Sequence, residues 1–288
     1  MFPSHDRKGC MKIRARGKAY PMQIDLEDGM YFCKSKVFSR SVNEILKETF
    51  NARWNPDRKL WYFPASERTD FQLQNLDPTE PDPYVRYDSE FPILDIAPRY
   101  YAPRDEILAP MEHQVRGISE VMFRRFHELA WEMGSGKTLV AIEVCERSGA
   151  KDHEILYVGV RTAIAEVKCQ FVDWGSKVFP RFVLWSGLKR ALAEWDGPAP
   201  KVVILDEYSK AKNMDAQRTK AMAYIAEEMR REHDDCIILG MTGTPAPKDP
   251  SDWWAQTEIL CPGFLREASQ KRLKQRLASI VTGKQTDL

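Results

Sequence analysis

This 288-residue sequence lacks the marks of a disulfide-bonded or zinc-bearing protein. Its six cysteines (Cys10, Cys33, Cys145, Cys169, Cys236, Cys261) form no CxxC pair and stand at no zinc-finger spacing from a histidine. That argues against a disulfide framework or a structural metal and favours a reducing, cytoplasmic location. The N-terminus has no apolar segment ahead of a cleavage site, and the longest aliphatic runs, such as Val202-Val203-Ile204-Leu205, are strand-sized. Secretion and membrane spanning are therefore not expected. An excess of charge is lacking too: 43 Lys and Arg face 42 Asp and Glu. A polyanionic partner would have to be read by local charge. What is present is 43% hydrophobic residues, enough for one large domain or a medium one with a smaller companion.

A proline-rich stretch, Asp77 to Pro110, divides the chain and blocks long helices and central strands. Before it, "MKIRARGKAYPMQIDL" and "GMYFCKSKVF" read as strands joined by the turn "EDG". "SVNEILKETF" carries Val42, Ile45, Leu46 and Phe50 at helical spacing, with Ser41 and Glu44 as a capping box, and "KLWYFPAS" reads as another strand. After it, apolar runs at 154–160, 181–185, 201–207 and 236–242 alternate with amphipathic segments such as "DAQRTKAMAYIAEEMRRE". The expected fold class is α/β, a parallel sheet covered by helices, preceded by a small α+β module. The expected organisation is a module over 1–80, a linker over 81–107, a nucleotide-binding lobe over 108–265 and a basic tail over 266–288.

"WEMGSGKTLV", 131–140, ends as a phosphate loop does, yet Trp131 stands where the GxxxxGK[ST] pattern has its first glycine. Its context is strand, glycine turn, helix: "HELAWEM", "GSG", then "KTLVAIEVCERSG" with Glu143 and Arg147 four apart and Gly149 as C-cap. Backbone N–H groups from Gly134, Ser135 and Gly136 to Thr138 would face phosphates at a helix N-terminus. Lys137 would reach the β- and γ-phosphates of ATP, and Thr138 would ligate Mg²⁺. Downstream, "VVILDEYS" runs four aliphatics into two carboxylates. Asp206 is placed to hold Mg²⁺, and Glu207 to polarise the attacking water.

With "LAPMEHQVRGI" (108–118), "AWEMGSGKT" (130–138), "DEYSKAKN" (206–213) and "MTGTPAP" (241–247), the chain resembles superfamily 2 helicases and translocases in their ordered motifs Q, I, II and III. The Swi/Snf-like branch is nearest. Its motif I commonly reads ADEMGxGKT, so Trp131 replaces an Asp; its motif II commonly reads DEAHRIKN, so Tyr208 and Ser209 replace Ala and His. The resemblance implies an RecA-like P-loop lobe, with Gln114 as adenine reader and Thr242 and Thr244 coupling nucleotide state to nucleic acid. "YVGVRTAIAEVKCQFVDW" resembles motif Ia, which brings Arg161 and Thr162 to a phosphate backbone. The interval from Trp174 to Asp206 is short for the family, so a strand, its helix and motif Ib are expected to be reduced. The resemblance covers residues 106 to 265, and family members continue into a second lobe carrying an arginine that reaches the γ-phosphate. It implies ATP binding by this chain, with slow hydrolysis unless a second-lobe protein completes the cleft in trans.

In the N-terminal module, residues 7–18 hold six basic side chains and no acid, and Lys12, Arg14 and Arg16 share one face of a strand. The row suits successive phosphates and equally a charged edge strand. "FNARWNPDRKLWYFP" sets Trp54, Trp61, Tyr62 and Phe63 beside Arg53, Arg58 and Lys59, as a base-stacking surface or a small core would. This stretch is similar to the "WNPxxKxWxFP" pattern of HARP-type modules, which implies DNA as the partner. The basic tail, Arg266 to Lys284, suits phosphate contacts or a solvated helix. Two other readings stay open: an RNA helicase or restriction-system motor subunit, and a non-catalytic ATP- and DNA-binding accessory protein.

Overall fold

The computed structural model describes residues 9–15, 18–35, 39–76, 90–246 and 248–283. The chain divides into two compact units, Met1–Ser89 with Cys261–Leu288, and Glu90–Leu260.

The first unit is an antiparallel sheet in the order β1-β2-β3-β5-β4, backed by helices. Its strands are β1 (Gly9–Ala15), β2 (Lys18–Glu27), β3 (Met30–Ser35), β4 (Arg53–Asn55) and β5 (Leu60–Pro64), with α1 (Arg40–Thr49) and α2 (Glu67–Leu76). The first stretch expected as strand is itself a hairpin of β1 and β2; its turn, including Arg16, lies outside the described residues. Asp28 and Gly29 turn β2 into β3, both at positive φ as a tight hairpin turn requires. Alternation sends Ile13, Met22, Ile24, Tyr31, Cys33, Trp61 and Phe63 to one face, where they pack on Val42, Leu46 and Phe50. Helix α1 is capped by Ser39, not Ser41: the chain is extended at Ser39, whose hydroxyl accepts from the Val42 N–H at 3.4 Å. Both serines meet the sequence rule, and the point where the backbone enters the helix decides between them.

A C-terminal helix, Gln270–Gly283, belongs to this unit. The Arg272 guanidinium donates to the Lys47 carbonyl at 2.6 Å, Ala268 N–H to the Glu48 carbonyl at 3.2 Å, and Arg68 to the Leu265 carbonyl at 3.1 Å. Arg276 pairs with Glu267. Part of the tail's basic charge is thus engaged with its own unit, while Lys284 lies outside the described residues, as do residues 77–89 of the proline-rich stretch.

In the second unit five parallel strands take the order β10-β9-β11-β12-β8. After a short hairpin of β6 (Arg99–Tyr101) and β7 (Glu106–Leu108), the chain runs α3 (Glu112–Arg124), β8 (Phe126–Ala130), α4 (Lys137–Arg147), β9 (Ile155–Gly159) and α5 (Arg161–Asp173). It continues through β10 (Arg181–Leu184), α6 (Leu188–Ala193), β11 (Val202–Asp206), α7 (Gln217–Glu232), β12 (Ile237–Thr242) and α8 (Trp253–Leu260). The short interval before Asp206 therefore holds one edge strand and one short helix. β9, β11 and β12 are apolar up to their C-terminal residues because both faces are covered. Ile155, Tyr157, Ile204 and Leu239 face one helical layer; Leu156, Val158, Val203, Leu205 and Ile238 face the other.

Residues 90–107 pack on this unit. Ile96 is in the core, Tyr101 stacks on Trp174 at 4.5 Å, and Arg99 forks onto Glu143 and Glu146 at 2.8 and 3.0 Å while donating to the Trp174 carbonyl. Among the described residues no helix is long and apolar enough to cross a membrane.

Candidate nucleotide-binding site

The loop from Trp131 to Gly136 leaves the C-terminal end of β8 and enters α4. Gly134 and Gly136 both sit at positive φ, +79° and +76°, the region that glycine adopts without steric cost. A side chain at Gly136 would in addition collide with the Gln114 amide. The loop's carbonyls are turned inward. Those of Trp131 and Glu132 each accept from Lys137 Nζ at 2.8 Å, and that of Ser135 meets His113 Nε2 at 2.9 Å and Gln114 Nε2 at 3.3 Å. Across a trans peptide the N–H opposes the C=O, so inward carbonyls turn amides the other way. At the start of α4 the Leu139 N–H donates to the Gly136 carbonyl at 3.1 Å, whereas the amides of Lys137 and Thr138 precede any intrahelical acceptor. The arrangement suits an anion.

Trp131 has a structural role of its own. Its indole lies over Gly117 of α3, where an added Cβ would come within 2.5 Å of the ring, and the edge of His113 meets it at 5.1 Å. The missing first glycine is replaced by a brace between the loop and α3.

Asp206 and Glu207 stand at the C-terminal end of β11, which β12 separates from β8. Burial raises the Asp206 carboxyl above its usual range, although the Glu207 N–H donates to it at 3.0 Å. The buried Tyr157 side chain on β9 lies beside the same carboxylate, and the Trp185 indole N–H donates to the Asp206 carbonyl at 2.7 Å. Burial also lowers the Lys137 ammonium, against the pull of Asp206 and Glu207. Both charges have lost water without gaining a full counter-charge. Glu207 is held at φ +53°, a left-handed conformation costing about 1 kcal/mol for a residue with a Cβ.

The substituted motif II is locked into the fold. Tyr208 is fully buried, fills the space left by Gly240 on β12, and donates to the Gln256 carbonyl at 2.7 Å. Lys212 stands 3.8 Å from Asp252. Thr242 is buried and accepts from the Thr244 N–H at 3.1 Å; Gly243 between them lies against the Trp131 carbonyl and Met133. The strand between loop and carboxylates thus ends on the loop itself. Pro247 lies outside the described residues.

Gln114 is buried, with Nε2 on the Ser135 and Gly136 carbonyls and Oε1 accepting from the Met111 N–H at 2.9 Å. An amide reading adenine here would have to release one of these bonds. Arg161 and Thr162 are exposed at the N-terminus of α5. Lys12, Arg53, Trp54 and Arg58 lie in the antiparallel unit, all exposed; the Arg14 side chain and all of Arg16 lie outside the described residues.

Sequence reasoning missed Tyr157, His113, Gly117 and Glu128. Glu128 on β8 pairs with Gly240, one of its oxygens has no hydrogen-bond partner, and burial pushes its carboxyl up to about 7. A carboxylate in the middle of the strand that leads into the glycine loop was the available signal.

No family profile and no curated protein matches the chain. Three solved structures are similar in fold. The Sulfolobus solfataricus SWI2/SNF2 ATPase core in complex with dsDNA is 18% identical, with a TM-score of 0.49, over 64% of this chain and 41% of that one. The Pyrococcus furiosus Hef helicase domain is 16% identical, with a TM-score of 0.41, over 52% and 36%. The UvsW helicase from bacteriophage T4 is 11% identical, with a TM-score of 0.48, over 82% and 96%. The chain spans less than half the length of the first two. Its fold is mixed α/β, a five-stranded parallel sheet flanked by helices, with an antiparallel sheet at the N-terminus.

Proposed function

We propose that this chain is the ATP-binding lobe of a superfamily 2, Swi/Snf-like helicase or translocase acting on DNA. The observation that carries the reading is the pairing, at the C-terminal edge of one parallel sheet, of a desolvated cation and a desolvated carboxylate. Lys137 and Asp206 sit across a single strand, each shifted by burial toward its neutral form. A polyphosphate with its metal supplies both missing counter-charges, which neither a lone anion nor a lone cation does. Lys137, now on the Trp131 and Glu132 carbonyls, would serve the β- and γ-phosphates, and the loop from Gly134 to Thr138 would hold phosphate oxygens through its amides. Thr138 and Asp206 are the residues that would hold Mg²⁺, whose chemistry is to neutralise charge on the transferred phosphoryl group. Glu207 orients and deprotonates the attacking water. Gln114, freed from the loop carbonyls, reads adenine, and Thr242 to Thr244, lying against the loop, relay nucleotide state toward Arg161 and Thr162. A second lobe in trans supplies the remaining positive charge for fast turnover.

Nucleotide binding and turnover test this. Lys137→Ala is expected to abolish Mg-ATP binding, whereas Glu207→Gln keeps binding and loses about 10²- to 10⁴-fold in turnover. Duplex DNA, and not RNA, is expected to stimulate turnover. A wild-type chain that fails to bind Mg-ATP in calorimetry, or a Lys137→Ala chain that binds it normally, refutes the reading.

A further inference from the structure

We infer that the solvent-facing side of the antiparallel sheet binds single-stranded nucleic acid, with Tyr62 and the Arg58–Phe32 pair as the base-stacking surface. The site lies wholly in the first unit, and rests on the reading above only in taking nucleic acid as the partner.

The register sets this face. Asp25, Phe32, Tyr62 and Arg53 are successive cross-strand partners on β2, β3, β5 and β4, so they form one row on the side opposite the core. Phe32 and Tyr62 are only partly buried, and their rings are stacked at 6.3 Å and 28°. The Arg58 guanidinium, paired with Glu27 at 3.2 Å, lies over Phe32 at 4.4 Å from the ring centroid. The outward surface is thus one phenol ring beside one guanidinium plane, and both accept a base by stacking. Around them Arg53, Lys34 and Lys12 are exposed on the same face, against Asp25 and the already paired Glu27. Helices α1 and α2 cover the opposite side. Trp54 belongs elsewhere: its partner Trp61 faces the core, and it meets that ring edge-on at 5.4 Å. The structure therefore separates aromatics that are adjacent in sequence.

The chemistry selects the partner. Lysines and arginines alone would suit any phosphate backbone, duplex included. A phenol ring and a guanidinium on an open sheet face stack on bases whose faces are free, and in a duplex they are not.

The test is fluorescence anisotropy of a labelled 15-mer of deoxythymidine with the full chain, beside a 15-mer of uridine and a duplex of equal length. Tyr62→Ala is expected to weaken binding to the deoxythymidine strand about five- to 150-fold, the range for loss of one stacked base, while Tyr62→Phe retains it. Trp54→Ala is expected to have no effect. With Arg53, Lys34 and Lys12 contacting phosphates, log affinity falls with log salt at a slope of about −2, shallower in Lys34→Ala. If Tyr62→Ala unfolds by circular dichroism, Arg58→Ala, in an exposed turn, is judged by the same range. The inference is overturned if the single strand does not bind, if Tyr62→Ala weakens duplex binding as far as single-strand binding, if a folded Tyr62→Ala binds the single strand as wild type does, or if Tyr62→Phe falls as far as Tyr62→Ala. Mg-ATP binding in the same preparation is read separately, so either proposal can fail alone.

Discussion

Replacing Gly117 by alanine sets two known effects against each other. In an ordinary helix interior the change stabilises by about 0.8–1.0 kcal/mol, through propensity alone. Here the new Cβ would stand 2.5 and 2.7 Å from Cη2 and Cζ2 of Trp131 and 3.5 Å from Cδ2 of Leu129. Carbon atoms rest at about 3.5–4.0 Å, so the indole must retreat by roughly 1 Å. Overpacking of this kind costs about 1–3 kcal/mol, so the sum runs from near neutral to about 2 kcal/mol destabilising. The consequence for the site is larger than for stability. Trp131 carries one of the two carbonyls that hold Lys137 at 2.8 Å, and its backbone lies against Gly243. Displacing it disturbs the lysine and the strand end together, so nucleotide affinity is expected to fall. Urea unfolding and titration with a fluorescent nucleotide read both effects. In a Trp131→Ala background the obstacle is gone and Gly117→Ala is expected to stabilise, a change of sign that only contact between the two residues produces. A Gly117→Ala protein that is more stable by about 1 kcal/mol with unaltered nucleotide affinity would refute the reasoning.

Glu128 yields a pH-dependent expectation. Its folded carboxyl is raised to about 7 against an ordinary 4.5, so between these values the folded state holds a proton that the unfolded chain lacks, and stability falls as pH rises through that window. Glu128→Gln is expected to match wild type near pH 4 and to exceed it by up to roughly 3 kcal/mol at pH 8; equal differences at both pH values would show that the carboxyl is not so perturbed. Arg99→Ala leaves Glu143 and Glu146 without their shared fork, although Arg147 still pairs with Glu143 at 2.9 Å. The expected loss is about 3 kcal/mol, the lower end for an interrupted buried pair, and a loss below 1 kcal/mol in urea unfolding would show that the fork contributes little.

The parallel sheet was legible because its evidence is local. A strand buried on both faces must be apolar throughout, and 155–159, 202–206 and 237–242 are nearly so. The glycines at 134 and 136 were legible for a related reason: their positive φ excludes most other residues. The expected strand in residues 11–26 failed at one point, a hairpin turn inside it. Alternation continues in the same rhythm on both sides of such a turn, so it does not announce itself.

What the amino-acid order determines by itself is the glycine loop at 134–136, the acidic end of β11 and the alternation that builds two sheets. Each depends on neighbours within a few residues, where backbone sterics and periodicity act. Tertiary structure alone decided that Trp131 braces the loop against Gly117 and that Gln114 holds the loop's carbonyls. It also decided that Tyr208 fills the space of Gly240, and that the C-terminal helix joins the N-terminal unit. These are matches of volume and hydrogen-bonding capacity between segments distant along the chain. No single segment carries such information, because a large residue shows where it fits only when the small one opposite it is in place.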